Sequence, residues 1–261
     1  MHLATYQFDA MLGAVDANLR RIGRVLRSLA PDEVDVIAFP EMCDTGYAMG
    51  TIVEAAVTWG PDHLAEIREL AAAKRTAVVL GVSERTEHGV YNATVVIDAA
   101  GQRIHRYRKT HLVSIEPIGE HRYLRAGDAL DTFTVGGLTA GILTCYELRF
   151  PEVARALTLR GARLLFVPAA WPLSRVDHFT TLLRARAIEN QVFVVAAARV
   201  GTDAGTRFGG HGMIVDPNGR VLTEGSEDAE GMLRATIDPD DVDRARARIA
   251  ALEERRPELY Q

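Results

Sequence analysis

Cysteine is scarce in this chain: only Cys43 and Cys145 occur among 261 residues. Two thiols cannot build a disulfide framework, although they could form one bridge, and their sparseness favours a reducing compartment. The N-terminus lacks a basic region followed by an apolar stretch, so no secretory leader is expected and the chain reads as cytoplasmic. Also missing is any uninterrupted apolar run long enough to cross a bilayer. Positive charge is not in excess. The formal net charge of -5 gives no reason to expect nucleic acid or an anionic membrane as a partner. No pair of cysteines or histidines has metal-ligand spacing. The glycines at 201, 205, 209, 210 and 212 fit neither a Walker A nor a dinucleotide pattern and read as a loop and turn. Repeats, low-complexity segments and linkers are likewise not found.

The residues that are present describe an ordinary globular protein, 48% apolar and 25% charged. Its length can bury a large core, as one α/β domain or two small ones. Strand-like runs fall at Leu3–Phe8, Val34–Phe39, Ala77–Val82 and Asn92–Ile97. Asp16 can cap a helix in which Leu19, Ile22, Leu26 and Leu29 share a face, and Pro61 can open a second through Leu64, Ile67 and Leu70. A turn at Ala100-Gly101 leads to a strand ending near Lys109. The stretch from Thr110 to Asp131 has no period and reads as a long loop, which in a compact domain is usually functional. Strands are then expected at Leu138–Thr144, Arg163–Val167 and Gln191–Ala196, with helices at Pro151–Leu159 and Phe179–Asn190. Met213–Val215 and Val221-Leu222 flank a turn, Asp216-Pro-Asn-Gly219, and Leu233–Ile237 can close the sheet. Strand and helix alternate before about residue 85 and again after about residue 138, which argues for an α/β fold. One domain over residues 1–261 is the better reading, with a charged, helical tail from about residue 239.

Polar residues stand where three apolar strands end: Glu41, Lys109 and Cys145. In open α/β sheets ligand sites gather at the carboxyl ends of strands. Cys145 lies between a strand and a helix opened by Pro151, where backbone N–H groups and the helix dipole favour thiolate. A carboxylate beside it can serve as general base and then general acid, and a lysine can stabilise an oxyanion. Each has a plainer reading: Cys145 as a buried small hydrophobe, Glu41 and Lys109 as surface charges. His111, His121, His178 and His211 are candidates for an imidazole that activates the thiol, but none carries a local signature of a cysteine peptidase.

Phe39–Tyr47 (FPEMCDTGY), Tyr107–Leu112 (YRKTHL) and Cys145–Glu152 (CYELRFPE) resemble, in order, the three signature blocks of the nitrilase superfamily of carbon–nitrogen hydrolases. Trp171-Pro172 with Arg184–Gln191, and Gly210–Gly219, resemble two further blocks, so the similarity runs from Leu3 to about Ile237. The resemblance implies a four-layer α-β-β-α sandwich assembled as a homodimer or larger homo-oligomer, with no cofactor or metal required. It also implies a nucleophile at Cys145 that forms a thioester, a general base and acid at Glu41, an oxyanion-stabilising cation at Lys109, and the Tyr146 N–H completing the oxyanion hole. A second glutamate is implied at Glu120, with Glu116 the alternative. Grouped at close quarters, carboxylate, ammonium and thiol share protons, so the site can rest as a thiolate beside a protonated partner.

Tyr146-Glu147 after the nucleophile is closer to the Tyr-Asp of amidase-like branches than to the Trp-Glu of true nitrilases, with Glu147 replacing the usual aspartate. The neighbouring blocks are most similar to ω-amidases, which act on 2-oxoglutaramate, 2-oxosuccinamate or deaminated glutathione. The substrate implied is a small linear amide with a distal carboxylate, which Arg149 or Arg175 could bind bidentately. Arg149 could instead pair with Glu152, and Trp171 could wall the pocket or pack in the core. An N-carbamoyl amidohydrolase, an aliphatic amidase and a silent scaffold on the same fold remain the alternatives.

Overall fold

The computed structural model describes residues 1–259. In chain order the elements are β1 (His2–Gln7), α1 (Val15–Ser28), β2 (Val36–Ala38), α2 (Met49–Ala55), α3 (Ala65–Lys74), β3 (Ala77–Thr86), β4 (Gly89–Ile97) and β5 (Arg103–Arg108). There follow β6 (Thr132–Val135), β7 (Leu138–Ile142), α4 (Pro151–Leu159), β8 (Leu164–Ala169), α5 (Val176–Asn190) and β9 (Phe193–Ala198). The last are β10 (Thr202–Asp203), β11 (Thr206–Arg207), β12 (Met213–Val215), β13 (Val221–Glu224), β14 (Gly231–Thr236) and α6 (Asp241–Arg248). The expected helical tail is thus a short α6; its last two positions, 260 and 261, lie outside the described residues.

Two six-stranded sheets form, in the orders β14-β1-β2-β3-β4-β5 and β13-β12-β9-β8-β7-β6. Each has three parallel central strands, β1-β2-β3 in one and β7-β8-β9 in the other. Successive side chains on these strands point to opposite faces, and both faces are apolar, so each strand is buried twice. Leu3, Val36, Ala38 and Val79 meet Ile142, Phe166, Phe193 and Val195 between the sheets. Their alternates Ala4, Ile37, Val78 and Leu80 pack under Ile22, Leu26 and Ile67 of α1 and α3. On the far side Leu165, Val167 and Val194 pack under Val153, Leu157, Phe179 and Leu183 of α4 and α5. The layers are therefore α-β-β-α, as the sequence led us to expect.

Several local expectations are corrected. Asp16 does not cap α1: the N-cap is Ala14, and Asp16 sits in the first turn, where its charge still faces the positive end of the helix dipole. The helix expected from Pro61 begins only at Ala65, because Leu64 is left-handed with φ 62°. α2 and β6 were not anticipated, being seven and four residues long, too short to establish a period. The glycine loop near residue 205 contains the small β10–β11 hairpin.

That hairpin is tied down by a buried ion pair. Arg199, 1% exposed, donates to Asp203, 4% exposed, at 2.7 Å and stacks on Phe208 at 4.9 Å. Asp203 also accepts from the Tyr47 N–H at 2.7 Å. Removing Asp203 leaves the buried Arg199 charge with only the half-exposed Asp9, 3.6 Å away, to balance it. Asp203→Ala should therefore lose about 3–5 kcal/mol in denaturant titration; a loss below about 1 kcal/mol, the range of an exposed pair, would contradict this account.

Candidate active site

Glu41 follows β2, Lys109 follows β5 and Cys145 follows β7, so all three leave the carboxyl ends of strands and meet at one end of the sandwich. Gly81 lets Glu41 in: a Cβ there would stand 2.3 Å from the Pro40 carbonyl oxygen and 2.7 Å from the Glu41 Cα. Cys145 holds φ at +49°, a left-handed conformation that a side chain rarely adopts unless its surroundings enforce it. It begins a 3₁₀ turn, Cys145–Arg149. The first bond of that turn runs from Glu147 N to Thr144 O, so it does not consume the N–H groups of Cys145 and Tyr146.

Glu41, Lys109 and Glu120 are fully buried. Lys109 Nζ lies 2.8 Å from Glu41 and 2.9 Å from Glu120. Burial opposes its charge, but Glu120 and Glu41 outweigh it and hold the ammonium above the ordinary lysine value. Asn92 donates to Glu41 at 2.6 Å and to Glu120 at 3.2 Å. Glu41 also accepts the Ala170 N–H at 2.9 Å. Glu120 accepts the Tyr47 hydroxyl at 2.7 Å and the Val113 N–H at 2.7 Å. The other candidate for the second glutamate, Glu116, lies at the surface and pairs with Arg122 at 2.6 Å. Asn92, Tyr47 and the Ala170 N–H had not been picked out from the sequence.

The surroundings of Cys145 oppose the expected resting thiolate. Burial foremost, then the Glu41 carboxylate, push the Cys145 thiol well above its ordinary value, and Lys109 offsets this only in part. α4 does not begin at Cys145: the 3₁₀ turn Cys145–Arg149 comes first, and the helix opens at Pro151. A neutral thiol beside a carboxylate is suited to losing its proton as it attacks. The four histidines are engaged elsewhere: His111 approaches Glu147 at 3.6 Å, His121 the Val113 carbonyl, His178 Arg149 and His211 Glu224. Among the described residues no group of three or more histidine, cysteine, aspartate or glutamate side chains is arranged to hold a metal ion.

Cys145 opens into a cavity of about 530 Å³ lined by Tyr146, Arg149, Trp171 and Arg175, with Val113, Ile115, Pro117 and Leu173 as apolar walls. Trp171 both walls the cavity and packs in the core, 5.2 Å from Phe179. Arg149 stacks on Trp171 at 4.7 Å, and its anticipated ion pair with Glu152 does not form. Among the described residues neither Arg149 nor Arg175 has a carboxylate partner. Burial, then the charge of Arg175, lower the Arg149 pKa.

Residues 2–247 match the family model described as carbon-nitrogen hydrolase. The chain belongs to the carbon-nitrogen hydrolase family. A 2-oxoglutaramate amidase of Bacillus subtilis is 37% identical over 259 residues, covering 99% of this chain and 98% of the relative. A CN-hydrolase superfamily protein from Xanthomonas campestris, solved with an arsenic adduct in its active site, superposes with TM-score 0.90 at 29% identity, over 98% of this chain and 97% of that one. A variant of the amidase from Nesterenkonia sp. AN1 in complex with butyramide superposes with TM-score 0.85 at 25% identity, over 100% and 95%. Within this family the chain is an enzyme acting on amides, and its fold is the family's α-β-β-α sandwich.

The raised thiol sets a measurable pH dependence. A difference titration of thiolate absorbance between the wild type and Cys145→Ala should show no Cys145 ionisation until the pH passes the ordinary thiol value of 9.0. Because the folded state favours the protonated form, this group weakens the fold as pH rises through 9.0 and has no such effect below it. An ionisation below that value would restore the thiolate.

Proposed function

We propose that this enzyme is a cysteine-dependent ω-amidase. Its substrate is a small linear amide whose far end carries a carboxylate, and its products are the free acid and ammonia. Glu41 takes the Cys145 proton as sulfur attacks the amide carbon. Lys109 and the Tyr146 N–H stabilise the oxyanion, a contribution of roughly 3–4 kcal/mol per donor in other acyl-transfer enzymes. Glu41 then returns the proton to the departing ammonia, leaving a thioester. Water, activated by the same carboxylate, cleaves the thioester and restores the thiol. Glu120 holds Lys109 in place.

The observation that carries this reading is the pair of guanidinium groups, Arg149 and Arg175, that line the same cavity as Cys145 without an acidic partner among the described residues. Glu116 lines the same cavity but pairs with Arg122, which leaves the two arginines suited to an anionic ligand. The similarity to a 2-oxoglutaramate amidase across nearly the whole chain supports the same class. The apolar lining and the butyramide bound by the structural relative favour an aliphatic amidase as the second reading.

We further read residues 1–261 as one cytoplasmic domain that acts as a homodimer or larger homo-oligomer. Leu159 and Ile188, each 50% exposed on the helical outer layer, support association. No helix among the described residues is long and apolar enough to cross a membrane.

Ammonia release should be measured with 2-oxoglutaramate, 2-oxosuccinamate, deaminated glutathione, butyramide, an N-carbamoyl amino acid and an aliphatic nitrile. Turnover should favour the carboxylate-bearing amides and vanish in Cys145→Ala with the fold retained. Removing a charge-assisted contact costs about 1.5–3 kcal/mol, so Arg149→Ala or Arg175→Ala should lower kcat/KM for those amides roughly 10- to 150-fold, chiefly through KM, and leave butyramide turnover nearly untouched. Equal losses on butyramide, or a preference for butyramide or the carbamoyl compound, would remove the ω-amidase assignment.

A further inference from the structure

Beside the catalytic cluster lies a second fully buried carboxylate with a different job. Glu147, two residues beyond Cys145, is 0% exposed, and its two oxygens face two different segments of chain. Oε1 accepts the Tyr107 hydroxyl at 2.6 Å, the Thr110 N–H at 2.8 Å, the Thr110 hydroxyl at 2.6 Å and the His111 N–H at 3.1 Å. Oε2 accepts the Thr144 N–H at 2.7 Å. The first set brackets Lys109 on both sides; the second immediately precedes Cys145. These segments leave strands of different sheets, β5 and β7, and no strand ladder fixes one against the other.

We infer that Glu147 is a positioning residue whose two oxygens clamp the Lys109 segment to the Cys145 turn and so set the distance between cation and nucleophile. The clamp needs a carboxylate. A glutamine would offer one acceptor oxygen to the four donors on the lysine side and turn its NH₂ against the Thr144 N–H, donor against donor. An aspartate is shorter by about one carbon–carbon bond, ~1.5 Å, and cannot keep both sets of contacts on a fixed backbone. The group is ionised: burial opposes the charge, but hydrogen bonds involving His111, Thr110, Tyr107 and Thr144 outweigh it and hold the carboxyl below the ordinary glutamate value. His111 flanks the clamp, its Nδ1 3.6 Å from Glu147, a proximity that raises the imidazole pKa, and its ring is stacked on Phe150 at 4.2 Å. The glutamate found where amidase-like branches usually carry aspartate is thus long enough to span both segments in this chain.

The inference rests on the proposed roles of Cys145 and Lys109, so its test uses two readouts. One is kcat and KM on the best amide of the panel. The other is the rate of Cys145 alkylation by iodoacetamide, taken against Cys145→Ala, which reports the surroundings of the thiol without any substrate. A misplacement near 1 Å can cost roughly 10²-fold in rate. Glu147→Gln should therefore lower kcat roughly 10²-fold with KM little changed, and slow alkylation, in molecules that remain folded by circular dichroism. Glu147→Asp should fall between Glu147→Gln and the wild type. Tyr107→Phe removes one donor and keeps the carboxylate, so kcat should fall roughly 2- to 10-fold, the span of one net hydrogen bond. If Glu147→Gln lowers Tm while kcat and alkylation per folded molecule stay at wild-type values, Glu147 is only structural and the inference fails. If Glu147→Gln does not fold, unchanged kcat and alkylation in Tyr107→Phe overturn it. A wild type silent on every amide would sink the ω-amidase reading alone, since alkylation still tests the clamp.

Discussion

A lysine ammonium buried between two carboxylates is the constraint on which the rest of this structure depends. Lys109, Glu41 and Glu120 are all inaccessible to water, and removing each ion from solvent costs several kcal/mol after relaxation. Mutual attraction offsets that cost only if the remaining lone pairs are also satisfied. Asn92, the Tyr47 hydroxyl and the N–H groups of Val113 and Ala170 provide that satisfaction, and they come from four separate stretches of chain. The fold around the cluster is therefore held to tight tolerances, which is the condition for preorganised electrostatics.

The two halves of the sandwich contribute unequally. Glu41, Asn92, Lys109 and Glu120 lie on the first sheet and the loops that leave it, whereas Cys145, Arg149 and Trp171 belong to the second. The thiol meets the charges only because the sheets pack face to face through Val79, Phe166 and their neighbours. One consequence is the raised thiol: a site dry enough to strengthen the ion cluster also disfavours a lone thiolate. In the proposed mechanism deprotonation is thereby coupled to attack, with Glu41 accepting the proton.

The cavity has a different character from the cluster. Its lining mixes apolar walls with the arginines, Glu116, Ser174 and Thr206, and Arg149 lies over the Trp171 ring, its planar fork free of acidic partners among the described residues. A stacked guanidinium loses less freedom on binding a carboxylate than a flexible ammonium would, which suits recognition of a small anion at a fixed distance from the sulfur.

Much of this was legible in the chain itself. Short continuous apolar runs located most of the central strands, Pro151 placed the start of α4, and polar residues at strand ends singled out Glu41, Lys109 and Cys145, because an apolar run that stops at a charge or thiol is visible locally. The match of ordered blocks added Glu120 and Tyr146, and the carboxylate of the implied substrate added Arg149 and Arg175. Asn92 was hidden, since it lies within β4 and nothing local distinguishes an inward asparagine aimed at an ion cluster from any other strand residue. Tyr47 sits at the end of a signature block, but its bond to Glu120 spans 73 positions. Glu147 stood out only as a departure from aspartate; its donors lie up to 40 positions away. The upward push on the Cys145 thiol was hidden because it depends on burial and on a carboxylate 104 residues earlier in the chain. The sequence by itself determined the apolar pattern of the longer elements and the chemistry available at their ends. Tertiary structure alone decided which of those ends share a dry space, because electrostatics in a protein interior depends on distance and solvent exclusion, and neither is a property of neighbours along the chain.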